Sequence, residues 1–213
     1  MNFISEYIDF WSRKYQSIID YATEHMIIAS TVILISILIT IPLAIYMTRM
    51  KSDKLRGLIF SIANIFQTIP TIALLAIMIP IFGIGFTPAI VALYLYALLP
   101  LLRNTYAGME SVDEEMVEAA KGMGFSPIQQ LIKVELPIAI PYIMSGLRVT
   151  VVYIISWTTL AALIGAGGLG DLVLAGIGYN DTHMIFTGAF LAIIIAVILD
   201  LILGMIERRL IKN

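Results

Sequence analysis

The amino-acid sequence predicts an all-α fold. It is a polytopic membrane helix bundle of about five transmembrane helices, preceded by an N-terminal interfacial helix and carrying a pair of short helices in one polar loop. Three observations predict it. Hydrophobic residues make up 60% of the 213 positions, against roughly 45–50% in a soluble domain. Charged residues are 13%, about half the usual ~25%, too few to clothe a surface in water. Five runs carry one charge or none and approach or exceed the ~20 residues that a helix needs to cross a bilayer. The same totals exclude a disordered chain and an ordinary cytosolic enzyme. With a net charge of −2, no basic patch for nucleic acid emerges either.

The first run extends from Met26 to Thr48 and the second from Leu58 to Phe82, both uncharged. The third, Phe86 to Leu102, stops at Arg103. The fourth, Pro137 to Ile164, contains only Arg148, and the fifth, Met184 to Ile206, only Asp200. None alternates with period two, so strands are rejected. Over residues 1–25, Ile4, Ile8, Trp11, Tyr15 and Ile18 share one helical face, while Glu6, Asp9, Arg13 and Gln16 lie elsewhere. That pattern suits a helix lying in the headgroup zone. No leading segment reads as a cleaved signal. No repeat or linker interrupts residues 1–213, which read as a single domain. Cysteine is missing from the composition, which excludes disulfides, thiolate metal sites and cysteine nucleophiles. His25 and His183 are isolated and make no metal site. No catalytic cluster emerges; among acids inside the runs only Asp200 is available.

Basic residues set the expected topology, because Lys and Arg concentrate in cytoplasmic loops. Arg49, Lys51, Lys54 and Arg56 follow the first run. Lys121 and Lys133 follow the third, with Arg103 at its edge, and Arg208, Arg209 and Lys212 follow the fifth. The other loops hold no Lys or Arg. The N-terminus is therefore expected outside and the C-terminus in the cytoplasm.

The stretch 110–136 is too long for a simple turn and carries its own helix signals. Ser111 and Glu114 have capping-box spacing, predicting a helix from about Val112. Gly124 suits a left-handed helix end. Ser126 as cap, Pro127 at the first helical position and Gln129 then open a second helix. The product is a compact helix–turn–helix on the cytoplasmic face, a shape that another protein can grip.

Glu118-Ala119-Ala120, then Gly124, Val134 and Leu136-Pro137 resemble the EAA loop of permeases of binding-protein-dependent ABC importers. The runs Asn64–Pro70, Ala97–Gly108 and Leu160–Leu172 are similar to the permeases that take up osmoprotectants: glycine betaine, carnitine and choline. The methionine permeases fit less well around Ala97 to Gly108. The resemblance spans His25 to Lys212. It implies that Glu118, Ala119, Ala120, Gly124, Val134, Leu136 and Pro137 couple to an ATPase. It also implies two ABC ATPase subunits that hold ATP and magnesium, with no cofactor on this chain. Further implied partners are a second permease chain (identical or a paralogue), an extracytoplasmic substrate-binding protein and the plasma membrane of a bacterium. The mechanism implied is alternating access.

Other residues have two readings each. Gly165, Gly167, Gly168 and Gly170 contain a G-x-G-x-x-G spacing. A dinucleotide fingerprint needs a strand before it and a βαβ context. Here the run follows a membrane span, so an external, tightly turning loop is expected. Asn64, Gln67, Thr68 and Thr71 of the second run share one helical face, which is expected to look inward, as pathway or as interhelical glue. Tyr94, Tyr96, Tyr153 and Trp157 offer aromatic faces to a quaternary ammonium ion or simple packing. Arg148 is expected to snorkel to the headgroups. Asp200 needs a buried partner, and Arg103 is the expected one. The proline positions 42, 70, 80, 100 and 141 are expected to interrupt helices.

Overall fold

The computed structural model describes residues 3–212, with side chains over 5–211, so the placements expected for Ile4 and Lys212 lie outside the described side chains. Among the described residues the regular elements are helical: α1 (Phe3–Thr48), α2 (Asp53–Thr68), α3 (Thr71–Phe82), α4 (Phe86–Glu110), α5 (Glu114–Gly122), α6 (Pro127–Gln130), a π turn (Leu131–Glu135), α7 (Leu136–Ala161), a 3-10 turn (Ala162–Ile164), α8 (Leu169–Tyr179) and α9 (Thr182–Lys212). Four helical stretches among the described residues are long and apolar enough to cross a membrane, or five if α2 and α3 count as one span.

Three boundaries differ from expectation, each for a local reason. The N-terminal segment is not a separate interfacial helix but the start of α1, which runs 46 residues. The first glycine is Gly57 and the first proline Pro42, so nothing ahead of them breaks the helix. Straight, it would measure about 69 Å, more than twice a ~30 Å hydrocarbon core. The second run is not one helix. It bends by 104° between α2 and α3, because Pro70 supplies no N–H and pushes Ile69 out of the helical region. Pro70 sits at φ −54, ψ 135. Prolines 42, 80, 100 and 141, by contrast, lie inside helices. The third run does not stop at Arg103, since α4 continues to Glu110. A charge ends hydropathy, not helicity.

The chain divides into two compact units. The first takes its described residues from Met1–Ile33, Ile69–Tyr94 and Val152–Ile198. Its core includes Ile28, Val32, Leu75, Leu93, Ile154 and Leu169. There the start of α1 packs on the start of α9: Tyr7 and Thr187 hydroxyls bond at 2.9 Å, and Phe10 stacks on His183 at 5.9 Å. The packed face is thus Tyr7, Phe10 and Ile18, whereas Ile8 and Tyr15 are exposed. The second unit takes Leu34–Thr68, Leu95–Val151 and the described part of Leu199–Asn213. Met109, Ala139 and Ile143 form a core cluster there, flanked by Ile41, Ile45, Leu131 and Leu136.

Candidate functional site

The polar loop is built by caps. Asp113, not Ser111, starts α5: its Oδ1 accepts from the Glu115 N–H at 2.9 Å. Ser111 instead donates to the Gly108 carbonyl at 2.8 Å, finishing α4. At the other end Phe125 N–H donates to Ala120 O at 3.1 Å, and Gly124 N–H to Lys121 O at 3.0 Å, with Gly124 at φ +83. These are the two bonds of a Schellman closure, which places a left-handed residue after the helix. The chain turns straight into the capping box of Ser126 and Gln129. The second helix is not free-standing, however. α6 runs through the π turn into α7. Pro137 offers no N–H and crowds the carbonyl four residues back, and the wider π turn just before it, where Leu136 N–H reaches Leu131 O, takes up the misfit.

The resulting knob presents Glu118, Ala119, Gly124 and Pro137 at the surface, keeps Val134 and Leu136 half-buried, and buries Ala120. Met116, Met123, Ile128 and Ile132 each expose half or more of their surface. Behind them lies a cavity of about 630 Å³ lined by Tyr46, Arg49, Ile128, Leu131 and Glu135 among others. Glu135 is buried, and its carboxylate pairs with the Arg49 guanidinium just beyond α1. Neither residue stands out in the sequence beyond Arg49's positive charge.

Of the residues expected to line a pathway, Asn64 and Gln67 belong to the second unit, and Thr71, Tyr94, Tyr153 and Trp157 to the first. The 104° bend ends the shared face of Asn64, Gln67, Thr68 and Thr71, since Thr71 opens a different helix. Gln67 donates to the Tyr96 carbonyl at 2.8 Å, the glue reading. Tyr96 is buried and Tyr94 half-buried. Tyr153 and Trp157 meet on α7 with their rings tilted, centroids 5.0 Å apart, and Tyr153 is exposed. An apolar groove of about 640 Å³ runs beside them in the same unit, lined by Ser156, Thr159 and Leu163 with Val173 and Ile193.

The glycine run has a packing explanation. Gly165, Gly167 and Gly168 all have positive φ. A β carbon on Gly167 would sit 2.6 Å from Glu24 Oε2, and one on Gly168 3.2 Å from His25. The Glu24 carboxylate accepts from the Gly168 N–H at 3.0 Å, so it occupies the start of α8. Gly170 lets α8 lie against α7: a β carbon there would be 2.0 Å from Thr159 O. Burial, and then the Glu24 carboxylate, push the Asp171 carboxyl above its ordinary value. Its ionised form therefore opposes folding above that raised pKa, and the penalty fades as pH falls below it. Asp171→Asn is expected to raise the melting temperature at neutral pH, the gain shrinking toward pH 4. A gain that grows on acidification would contradict this assignment.

Asp200 does not pair with Arg103 but with Arg148. Arg148 Nε and Nη2 bond both Asp200 oxygens at 2.8 and 2.9 Å, and Nη1 bonds Glu207 at 2.9 Å. Partnering inside a span is the cheaper solution for a charge. Glu207 adds a second acid that hydropathy alone does not point to. The signal for it is the spacing Asp200, Gly204, Glu207 on one face of a helix.

The profile of the family "binding-protein-dependent transport system inner membrane component" matches residues 40–212. The chain belongs to this family. Among relatives, the permease is 44% identical over 187 residues to the choline transport system permease protein OpuBB of Bacillus subtilis, covering 88% of this chain and 85% of that one. It is 42% identical over 186 residues to the same organism's glycine betaine/carnitine/choline transport system permease protein OpuCB, covering 87% and 85%. Among solved structures, the inward-facing MetNI methionine ABC transporter superposes with a TM-score of 0.78 at 26% identity, covering 91% of the permease and 95% of that chain. The permease is accordingly a multi-pass integral membrane component of an ABC transporter.

Proposed function

We propose that the permease carries quaternary-amine osmoprotectants of the glycine betaine, carnitine and choline class. The observation that carries the reading is the identity of 42–44% to permeases named for those solutes. The methionine reading has the likeness to the methionine transporter behind it, but at only 26% identity. The substrate-binding protein selects the solute outside, and the permease passes it inward.

The knob of α5, α6 and the π turn docks on a separate ATPase. Its exposed Met116, Met123 and Ile128, together with exposed Glu114, Glu115 and Glu118, offer both apolar contact and negative charge to a basic cleft. Two ATPase copies hold ATP and magnesium, and a second permease chain, identical or paralogous, completes the pathway. The knob then faces the cytoplasm, and the N-terminus lies outside, in keeping with the positive residues after α1, in the knob and after α9. ATP binding to the ATPases favours one of two global states and so moves the pathway.

The test is uptake at high osmolarity in cells deleted for this chain and restored with its native partners. Labelled glycine betaine, carnitine, choline and methionine form the panel. Loss and rescue of a quaternary amine alone is expected. Loss of methionine alone overturns the solute.

A further inference from the structure

We propose that Arg148 is a positioning residue that locks α9 to α7, so that displacement delivered at the knob moves both helices as one body. The proposal rests on the reading of the knob as the coupling element, and concerns what lies beyond it.

α7 is the direct continuation of the knob through the π turn. Thirteen residues above Glu135, Arg148 reaches across to α9 within the same compact unit. Its planar fork makes three charge-assisted bonds at once, two to Asp200 and one to Glu207. The acids are two turns apart on one helix face, so the guanidinium bridges a length of α9 rather than a point. Gly204 lies between them. A β carbon there would be 3.3 Å from the guanidinium carbon, with Nη1 and Nη2 next nearest. The absent side chain at Gly204 is therefore the seat on which the flat group rests.

Two features make this a lock rather than a switch. Both acids are engaged simultaneously, so Arg148 holds α9 at two points at once. Opening the set would leave three half-buried charged groups without their partners, which is costly. An ordinary interhelical contact would stabilise the bundle but would not fix how much of each ATP-driven stroke reaches α9.

The assembled transporter, reconstituted in vesicles with its ATPase and binding protein, separates these roles through solute taken up per ATP hydrolysed. Arg148→Lys keeps the charge but has no fork. Gly204→Leu keeps every charge and removes the seat. Each is expected to lower uptake per ATP by about tenfold, the scale of one lost charge-assisted hydrogen bond, with hydrolysis retained. Exchanging the charges, Arg148→Asp with Asp200→Arg, is expected to recover part of the ratio. An unchanged ratio in both single variants overturns the proposal. Where a variant fails to assemble, the wild-type arrangement gives the answer. The chain has no native Cys, so spin labels at Tyr142→Cys and Leu210→Cys read the α7–α9 separation directly. Equal separations without nucleotide and with trapped ATP are expected, and a change between them refutes the lock. Should the knob not be the coupling element, Gly124→Arg would leave uptake intact, an outcome distinct from failure of the lock alone.

Discussion

Arginine at Gly124 is expected to abolish uptake while the chain still inserts in the membrane. Gly124 holds φ +83 as the left-handed residue of the Schellman closure between α5 and α6. Any L-residue there bears about 1–2 kcal/mol of backbone strain. A β carbon at that point meets nothing within 4 Å, so strain alone is the cost of Gly124→Ala, and partial transport is expected from it. Arginine adds a long cation to the centre of an acidic, apolar-tipped surface, between exposed Met123 and Ile128. The basic cleft of the ATPase would then meet bulk and like charge where it should meet an acidic, apolar tip. Uptake, membrane fraction and ATPase co-purification measured together decide it. Wild-type uptake in the arginine variant would remove the knob from the mechanism.

Gly170→Ala is expected to act on the fold itself. The added carbon would stand 2.0 Å from Thr159 O and 2.7 Å from Ala162 Cβ. Neither neighbour is the flexible end of a long side chain, so α8 must move off α7 as a body. Overpacking of a fitted contact costs about 1–3 kcal/mol, and more where backbone is struck. A lower melting temperature in detergent is the expected reading, along with loss of the apolar groove shared by α7, α8 and α9. A melting temperature equal to wild type would mean that the helices separate easily there.

Hydropathy located the helices, because a membrane span is written in composition over some twenty residues. It could not locate their ends. Arg103 ends an apolar run but not α4, and the helix of Met26–Thr48 reaches back to Phe3 because no residue ahead of it forbids helix. Capping chemistry was legible wherever a single turn decides it, as at Ser126 with Gln129 and at Gly124. It misled where two oxygen-bearing residues compete: Asp113 stands next to α5, and Ser111 is left to α4. Pairings distant in sequence were the least legible. Glu24 with Gly168, Arg49 with Glu135, and Arg148 with Asp200 and Glu207 join residues 52 to 144 positions apart, and nothing local announces them. The shared face of Asn64, Gln67, Thr68 and Thr71 is the opposite case: it stops at Thr68 because of Pro70, a residue in plain view in the sequence.

The π turn at Leu131–Glu135 makes the join between knob and span a matter of phase. Each residue of an α-helix advances the chain by about 100° about its axis. Removing one residue between Ser126 and Pro137 would leave the composition almost untouched and still yield a helix. It would nonetheless swing the knob roughly a quarter-turn around α7, carrying Glu135 away from Arg49. A surface loop ordinarily absorbs insertions and deletions as lineages diverge. This stretch of polar loop has no such freedom, and its length should be as invariant as its most constrained side chain.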